Sequence, residues 1–156
     1  MNKSTNEETK PGGLNTLISR FIAYCDAIPH WLLAVIARAS VASVFWRSGR
    51  TKVDGFSIKD STFALFETEY ALPLIPPELA AYMATIAEHV FPILLVVGLA
   101  SRFGAIALLG MTSVIQVLVY PSAWPVHIFW VMGLVYVIAR GPGPLALDHL
   151  IARRFS

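Results

Sequence analysis

The chain has 156 residues, of which 56% are hydrophobic and 14% are charged, whereas about a quarter of the residues in soluble domains are charged. This composition indicates a single-domain integral membrane protein, and the net charge of +2 is too small and too scattered for a nucleic-acid-binding protein. The one cysteine, Cys25, excludes an intrachain disulfide, a CxxC redox pair and a cysteine metal site.

The chain begins with a polar tail and an amphipathic segment. Residues 1–13 are polar, and we predict a disordered tail on the cytoplasmic side of the membrane. Residues 14–28 place apolar side chains at helical spacing, which predicts an amphipathic helix lying at the membrane surface. The apolar positions of that helix are Leu14, Leu17, Ile18, Phe21 and Ile22.

Four apolar segments follow, and they predict an all-α fold: a four-transmembrane-helix bundle with flanking interfacial amphipathic helices. The transmembrane domain covers residues 29–140, and its spans are residues 29–46, 78–99, 103–120 and 124–140. A span needs about 17–25 residues, and all four segments come close to that requirement or meet it. Short connections make the last three spans antiparallel neighbours, and residues 47–77 form one long outer loop.

The distribution of basic residues predicts the orientation of this bundle. Four spans put both termini on one side, and that side carries seven Lys and Arg residues against four on the other. The first group is Lys3, Lys10, Arg20, Arg102, Arg140, Arg153 and Arg154, and the second is Arg47, Arg50, Lys52 and Lys59. The positive-inside rule therefore predicts a multi-pass protein of the inner (plasma) membrane with both termini in the cytoplasm.

The long loop and the C-terminal segment have patterns of their own. Asp60 or Ser61 can cap a short helix within the loop. The aromatic residues of that helix are Phe63, Phe66 and Tyr70. A loop of this length is often functional, and the alternative is a plain cover over the bundle. After the helix-breaking sequence GPGP, residues 141–156 form a cytoplasmic amphipathic segment whose basic residues suit the anionic leaflet.

Two ionisable residues fall near the middle of the membrane, Arg38 in the first span and Glu88 in the second. A charged side chain at a helix centre costs about 2.5–3.5 kcal/mol on insertion scales. We therefore predict that Arg38 and Glu88 are paired, since the loss of either partner would cost roughly 3–5 kcal/mol. The pair either belongs to a ligand or proton site or only fixes which helices meet.

Further polar residues complete a candidate ligand-binding set. The set is Arg38, Glu88, His89, Thr112, Gln116 and His127. Thr112 and Gln116 can instead form interhelical hydrogen bonds, and the two histidines can instead pack against helices or lie at the interface. No spacing matches a metal motif, so no metal site is predicted. The depths of His89 and His127 differ by roughly 12 Å, which disfavours a haem held between them.

Several segments of the sequence resemble the DoxX family of small four-helix membrane proteins. The segments are ARASVASVFWRSGRTKVDGF, AEHVFPILLVVGLASRFGAIALLGM and GPGPLALDHLI. The matching residues are Arg38, Ser48, Gly49, Lys52, Phe56, Glu88, Gly98, Leu99, Arg102, Leu147 and Asp148. This resemblance implies a membrane subunit of a quinone-linked redox complex, while more distant relatives act as cargo receptors or assembly factors.

Two functions remain open at this point, and neither assigns an enzyme reaction or a catalytic residue. In the first, the protein is a membrane subunit of a redox or stress-related system, and Arg38, Glu88 and His89 bind a quinone-like molecule. In the second, it is a non-enzymatic partner or assembly protein with a metal-stress, secretion or cargo role, and the Arg38–Glu88 pair is structural. Transport is a third option, which four spans fit less well unless the protein oligomerises. Both main hypotheses involve the lipid bilayer and a protein partner in a membrane complex, with a homo-oligomer as a further option. Quinone is the candidate cofactor, and haem is not expected.

Overall fold

Helices account for most of the chain. The computed structural model describes residues 13–155, so the predicted disordered tail lies outside the described residues except for Gly13. The α-helices of this part of the chain are α1 (Gly13–Asp26), α2 (His30–Lys52), α3 (Asp60–Thr68), α4 (Pro77–Val97), α5 (Ser101–Val114), α6 (Trp124–Arg140) and α7 (Leu147–Phe155).

Short elements connect these helices. Strands β1 (Val53–Asp54) and β2 (Ser57–Ile58) pair antiparallel between α2 and α3. Helix α5 continues without a break into a π-helical turn, Ile115–Val119, and a 3-10 turn, Pro121–Ala123, leads into α6. A π-helical turn inside a helix often accompanies a functional site.

Four helices are long and apolar enough to cross a membrane. They are His30–Lys52, Pro77–Val97, Ser101–Val119 and Pro121–Arg140, where the last two include the turns that adjoin α5 and α6. Helix α2 packs against α4 and α6, and α5 also packs against α4 and α6, so the four helices form a closed bundle. The predicted all-α fold with four membrane-spanning helices is confirmed. Helices of this kind contact the lipid bilayer with their apolar outward faces.

The core of the bundle is built from small and branched apolar side chains. Its buried members are Val41, Ala42, Phe45, Leu95, Ala105, Leu108, Leu134 and Val137. Small residues let the helices approach closely. At Gly133 of α6, for example, a Cβ atom would lie only 2.6 Å from Cγ2 of Val41.

Helix α2 extends well beyond its predicted end at residue 46. The polar sequence RSGRTK stays helical through Lys52, because Gly49 and Lys52 are buried in the bundle. The segment between α2 and α4 is therefore shorter than the predicted outer loop 47–77, and it holds the β-hairpin and α3.

Helix α3 packs along the N-terminal half of α4. Phe66 of α3 is buried together with Ala80 and Ala81 of α4. The N-cap of α3 is Lys59 and makes no side-chain capping bond, so the prediction that Asp60 or Ser61 caps this helix is wrong. Because α2 ends beside the middle of α4, α3 occupies the space that a longer α2 would fill.

The amphipathic helices α1 and α7 flank the end of the bundle opposite α3. No residue of α1 is buried, and its apolar side chains are exposed, as is Cys25. Helix α7 exposes Leu150 and Ile151, and its last turn carries Arg153 and Arg154. Both helices therefore combine exposed apolar side chains with polar ones, which suits a position at a membrane surface.

Candidate functional site

Lys52 and Glu88 form a buried ion pair between α2 and α4. The Nζ atom of Lys52 lies 2.7 Å from Oε2 of Glu88, and the two side chains are 6% and 4% exposed. Ser48 donates its hydroxyl to Oε1 of Glu88 at 3.1 Å and accepts from Nζ of Lys52 at 2.9 Å. Each charged group thus has a partner, which burial requires. We call Ser48, Lys52 and Glu88 the α3-side cluster.

Gly49 lets α2 and α4 approach closely enough to form this cluster. A Cβ atom at Gly49 would lie 2.9 Å from Cε1 of His89 and 3.1 Å from Cβ of Glu88, so a larger residue would push the helices apart. The end of α2 is also attached to α3, because the Thr62 hydroxyl donates to the backbone carbonyl of Lys52 at 2.9 Å. These contacts hold Lys52 at the level of Glu88.

The predicted pair of Arg38 and Glu88 is wrong. Arg38 instead donates to the backbone carbonyls of Leu95 at 3.3 Å and Leu145 at 3.4 Å. The reason is the register of two antiparallel helices, since Arg38 lies about 21 Å along α2 from Lys52 at 1.5 Å per residue. The predicted first span ends at residue 46, so it places Lys52 in the loop. Arg38 is then the only cation in that span available to pair with Glu88.

Arg38 belongs to a second polar cluster, at the end of the bundle near α7. The carboxylate of Asp148 accepts from the backbone amides of Ala100 at 2.7 Å and Ser101 at 2.9 Å, so it caps the N-terminus of α5, where negative charge is favourable. Gly98 has φ +78°, and a Cβ atom there would lie 2.4 Å from Nη1 of Arg38. We call Arg38, Gly98 and Asp148 the α7-side cluster. Its charged groups bond to backbone atoms at helix ends.

A cleft of about 280 Å³ lies between α4 and α5 beneath α3. Its walls are apolar and include Phe66, Tyr70, Met83, Ala87, Phe91 and Met111. Among the described residues that line the cleft, Glu88 alone carries a charge. The cleft is therefore an apolar cavity that has the carboxylate of the α3-side cluster in its wall.

Two tyrosines connect the end of α3 with the end of the third span near the cleft. The ring centroids of Tyr70 and Tyr120 are 5.7 Å apart in an edge-on arrangement, and the Tyr120 hydroxyl donates to the carboxylate of Glu69. This hydrogen bond raises the pKa of Tyr120 above its usual value, and burial raises the pKa of Tyr70. Both side chains are therefore neutral at physiological pH.

His89 lies beside the cleft rather than in it. Its ring packs edge-on against Trp46 with centroids 5.2 Å apart, and its Nδ1 atom lies 2.7 Å from the backbone carbonyl oxygen of Thr85. His89 therefore packs between α4 and α2, while its neighbour Glu88 lines the cleft.

The remaining predicted site residues, Thr112, Gln116 and His127, lie in the third and fourth membrane-spanning helices. His127 places Nδ1 2.7 Å from Oε1 of Gln116, and Nε2 of Gln116 donates to the carbonyl of Pro121 at 2.7 Å. Thr112 donates to the carbonyl of Leu108 within its own helix at 2.8 Å. The structure therefore brings Gln116 and His127 together but does not place them in the lining of the cleft. Among residues 13–155, no group of three or more His, Cys, Asp or Glu side chains could hold a metal ion.

Ser48 and Lys52 are site residues that the predicted spans leave out. One signal could have identified Lys52, because buried positions of α2 recur at helical spacing beyond residue 46. These positions are Arg38, Ala42, Phe45, Gly49 and Lys52. Following that face past Trp46 would have placed Lys52 on the buried side of a longer helix.

Comparison with known proteins identifies the family of the chain. The family model described as DoxX matches residues 33–121. An uncharacterized protein of Haemophilus influenzae is 29% identical over 129 residues, which cover 76% of this chain and 83% of that protein. No solved structure gives a significant match. The family match spans more than half of the chain and includes the whole α3-side cluster, so this protein belongs to the DoxX family.

Proposed function

We propose that the protein is a membrane subunit of a redox or stress-related system and binds a quinone-like, lipid-soluble molecule in the cleft. The observation that carries this proposal is the contact of an apolar cleft with the buried carboxylate of Glu88. Small-molecule sites are typically apolar concavities in which a few polar groups fix the orientation of the ligand. Ionisable residues inside membrane spans commonly mark ligand or proton sites.

The α3-side cluster suits a ligand whose head group donates a hydrogen bond. An ionised carboxylate can only accept hydrogen bonds, and Glu88 is paired with Lys52. A hydroxyl on an aromatic ring, as in a quinol, fits this acceptor. Such a ligand would supply electrons and protons to a partner protein, while Lys52 and Ser48 hold the carboxylate in place.

The volume and position of the cleft restrict the size of the ligand. A volume of about 280 Å³ is close to the lower end of the range for ligand sites, about 300–1,000 Å³. One substituted ring fills this space. Met83 and Val114 line the cleft and are 53% and 41% exposed, so a hydrocarbon tail can continue between α4 and α5 into the lipid.

Mass spectrometry of organic extracts from protein purified in nanodiscs tests this proposal. The wild type should retain a quinol, recovered as such or as the quinone that forms when the quinol oxidises during extraction. Glu88→Gln removes the charge and Ala87→Phe fills the cleft without altering the ion pair, so both should lose the quinone. Glu78→Gln is the matched control, because Glu78 is an exposed carboxylate on the same helix, and this variant should retain it.

Three outcomes would contradict the proposal. Equal quinone in all four preparations would mean that it is carried in the surrounding lipid. Retention by Ala87→Phe would mean that the ligand binds elsewhere, even if Glu88→Gln failed to fold. Background lipid alone in the folded wild type would favour the second candidate function.

The second candidate is a non-enzymatic partner in a membrane complex, and two exposed apolar side chains support it. Phe56 lies at the turn of the β-hairpin and is fully exposed, and Leu74 in the segment before α4 is 92% exposed. Contiguous exposed apolar patches mark protein or membrane contacts, so in this function a partner would cover Phe56. Affinity purification should then recover one stoichiometric protein that is lost with Phe56→Ser and retained with Asp54→Ser.

We also propose an inner-membrane location with both termini in the cytoplasm. The excess of Lys and Arg on the side of the termini supports this orientation. A reporter enzyme that is active only in the cytoplasm should be active when fused to the C-terminus. The same reporter inserted at Gly55 should be inactive, and the reverse pattern would contradict the orientation.

A further inference from the structure

A groove of about 400 Å³ lies at the α7 end of the bundle, opposite the end that carries α3. It is formed by the start of α2, the start of α5, the end of α6 and helix α7. Its lining includes His30, Arg102, Arg140, Gly141, Asp148 and His149. We call this the basic groove.

Positive charge dominates the basic groove. Arg102 and Arg140 are both exposed. The Asp148 carboxylate is already engaged, because each of its oxygens accepts from a backbone amide at the start of α5. Gly141 has φ +80°, and a Cβ atom there would lie 3.2 Å from Nη2 of Arg102. The glycine thus makes room for the guanidinium group beside the end of α6.

The two arginines lie at the depth expected of phospholipid head groups. Arg102 is in the first turn of α5 and Arg140 is the last residue of α6, so both mark the end of a membrane-spanning helix. The amphipathic helices α1 and α7 expose apolar side chains at this same end, including Phe21 and Leu150. The basic groove therefore opens where the bundle meets the membrane surface.

We propose that the basic groove binds the phosphate of an anionic phospholipid through Arg102 and Arg140. Guanidinium groups form paired hydrogen bonds with phosphate oxygens, and basic pockets between membrane helices bind anionic head groups. His30 and His149 border the same space, where Nδ1 of His30 lies 2.9 Å from the Tyr136 hydroxyl. This site is separate from the cleft and does not depend on the ligand proposed there.

Titration of the full-length protein in zwitterionic detergent with phosphatidylglycerol, followed by native mass spectrometry, tests the proposal. The double variant Arg102→Gln/Arg140→Gln should bind the lipid roughly 30-fold more weakly, from the loss of two charges near the membrane surface. The matched control Arg153→Gln/Arg154→Gln removes the same charge from the last turn of α7 and should bind like the wild type. Phosphatidylcholine should bind weakly to all three proteins.

Several outcomes would overturn this assignment. Equal weakening in the two double variants would mean that the lipid responds only to net charge. Binding of inorganic phosphate that depends on Arg102 and Arg140 and displaces the lipid would identify a free anion as the ligand. The variant Arg102→Lys/Arg140→Lys keeps both charges and provides a second test if the glutamine variant fails to fold. It should still bind the lipid, though more weakly than the wild type because lysine cannot form the paired hydrogen bonds of arginine, and complete loss of binding would contradict a charge-based site.

Discussion

The two polar clusters of this bundle differ in what their charged groups bind. In the α3-side cluster, Lys52 and Glu88 bond to each other and to the Ser48 side chain, and Glu88 lines an apolar cleft. In the α7-side cluster, Arg38 and Asp148 bond to backbone groups at the ends of helices. The first arrangement presents a charge to a cavity, whereas the second uses charges to join helix ends.

This difference shows that burial of a charge does not by itself identify a ligand site. Arg38 and Glu88 are both almost fully buried, and both were predicted to belong to one site. Both terminal nitrogens of Arg38 donate to backbone carbonyls, and a ligand could replace these partners only by separating α4 from the segment before α7. Glu88 needs no such rearrangement to contact a molecule in the cleft.

The largest expected effect follows from removing one partner of the buried ion pair. Lys52→Met leaves the Glu88 carboxylate buried and unpaired, so we expect a loss of about 3–5 kcal/mol in the free energy of unfolding. The double variant Lys52→Met/Glu88→Gln has no buried unpaired charge, so its free energy of unfolding should return most of the way to that of the wild type. It should bind no quinone. Denaturant titration in detergent micelles measures both variants. A loss below about 1 kcal/mol, as for an exposed ion pair, would mean that water reaches the pair.

A smaller effect is expected at the glycine of the α7-side cluster. Gly98→Ala places a side chain at φ +78° and against Arg38, so we expect a loss of about 1–3 kcal/mol. Gly110→Ala is the control, because nothing lies within 4 Å of a Cβ atom there. Neither variant should change the quinone content of the purified protein. Loss of quinone in Gly98→Ala alone would show that the two clusters are coupled.

The cap that Asp148 provides to α5 should contribute less to the free energy of unfolding than Gly98 does. Asp148→Ala removes the acceptor for two backbone amides, and the loss of such a cap costs about 0.5–2 kcal/mol. Hydrogen exchange should speed up in the first turn of α5 and stay unchanged around Glu88. Asp54→Ala in the exposed hairpin provides the comparison, and equal effects of the two variants would contradict the capping role.

The smallest effect concerns the tyrosine near the cleft. Tyr120→Phe removes the hydrogen bond to Glu69, which should cost about 0.5–1.5 kcal/mol or less because the group is partly exposed. The bond raises the pKa of Tyr120 above the ordinary value of 10, so its contribution is complete below that pH and is lost as the pH rises further. The free energy of unfolding should therefore differ between the wild type and Tyr120→Phe by the same amount at about pH 6 and at about pH 9. A difference that disappears between these pH values would contradict the assignment.

The fold class could be predicted because it depends on local composition. Four long apolar runs separated by polar or proline-rich segments are enough to predict four membrane spans. The end of α2 could not be predicted in the same way. Ser48, Gly49 and Lys52 form a polar segment that is helical only because α4 packs against it, so the information lies in another part of the chain.

The site was predicted only in part, for a related reason. Glu88 stood out because a carboxylate in an apolar span is costly. Its partner depended on the register between α2 and α4, which neither helix specifies alone, and Arg38 was therefore assigned in place of Lys52. The cleft itself is formed by α3, α4 and α5 together, so no single segment of the sequence indicates it.

The cap that Asp148 provides to α5 also has a consequence for the order of biosynthesis. Asp148 follows Ser101 by 47 residues, so the first turn of α5 is synthesised long before the carboxylate that caps it. Until α6 and the Gly-Pro-Gly segment have left the ribosome, the junction of α4 and α5 has to rely on other partners during insertion into the membrane. The α7-side cluster is therefore completed after the α3-side cluster, and it joins α2 to the segment that leads into α7 only after all four spans have been synthesised.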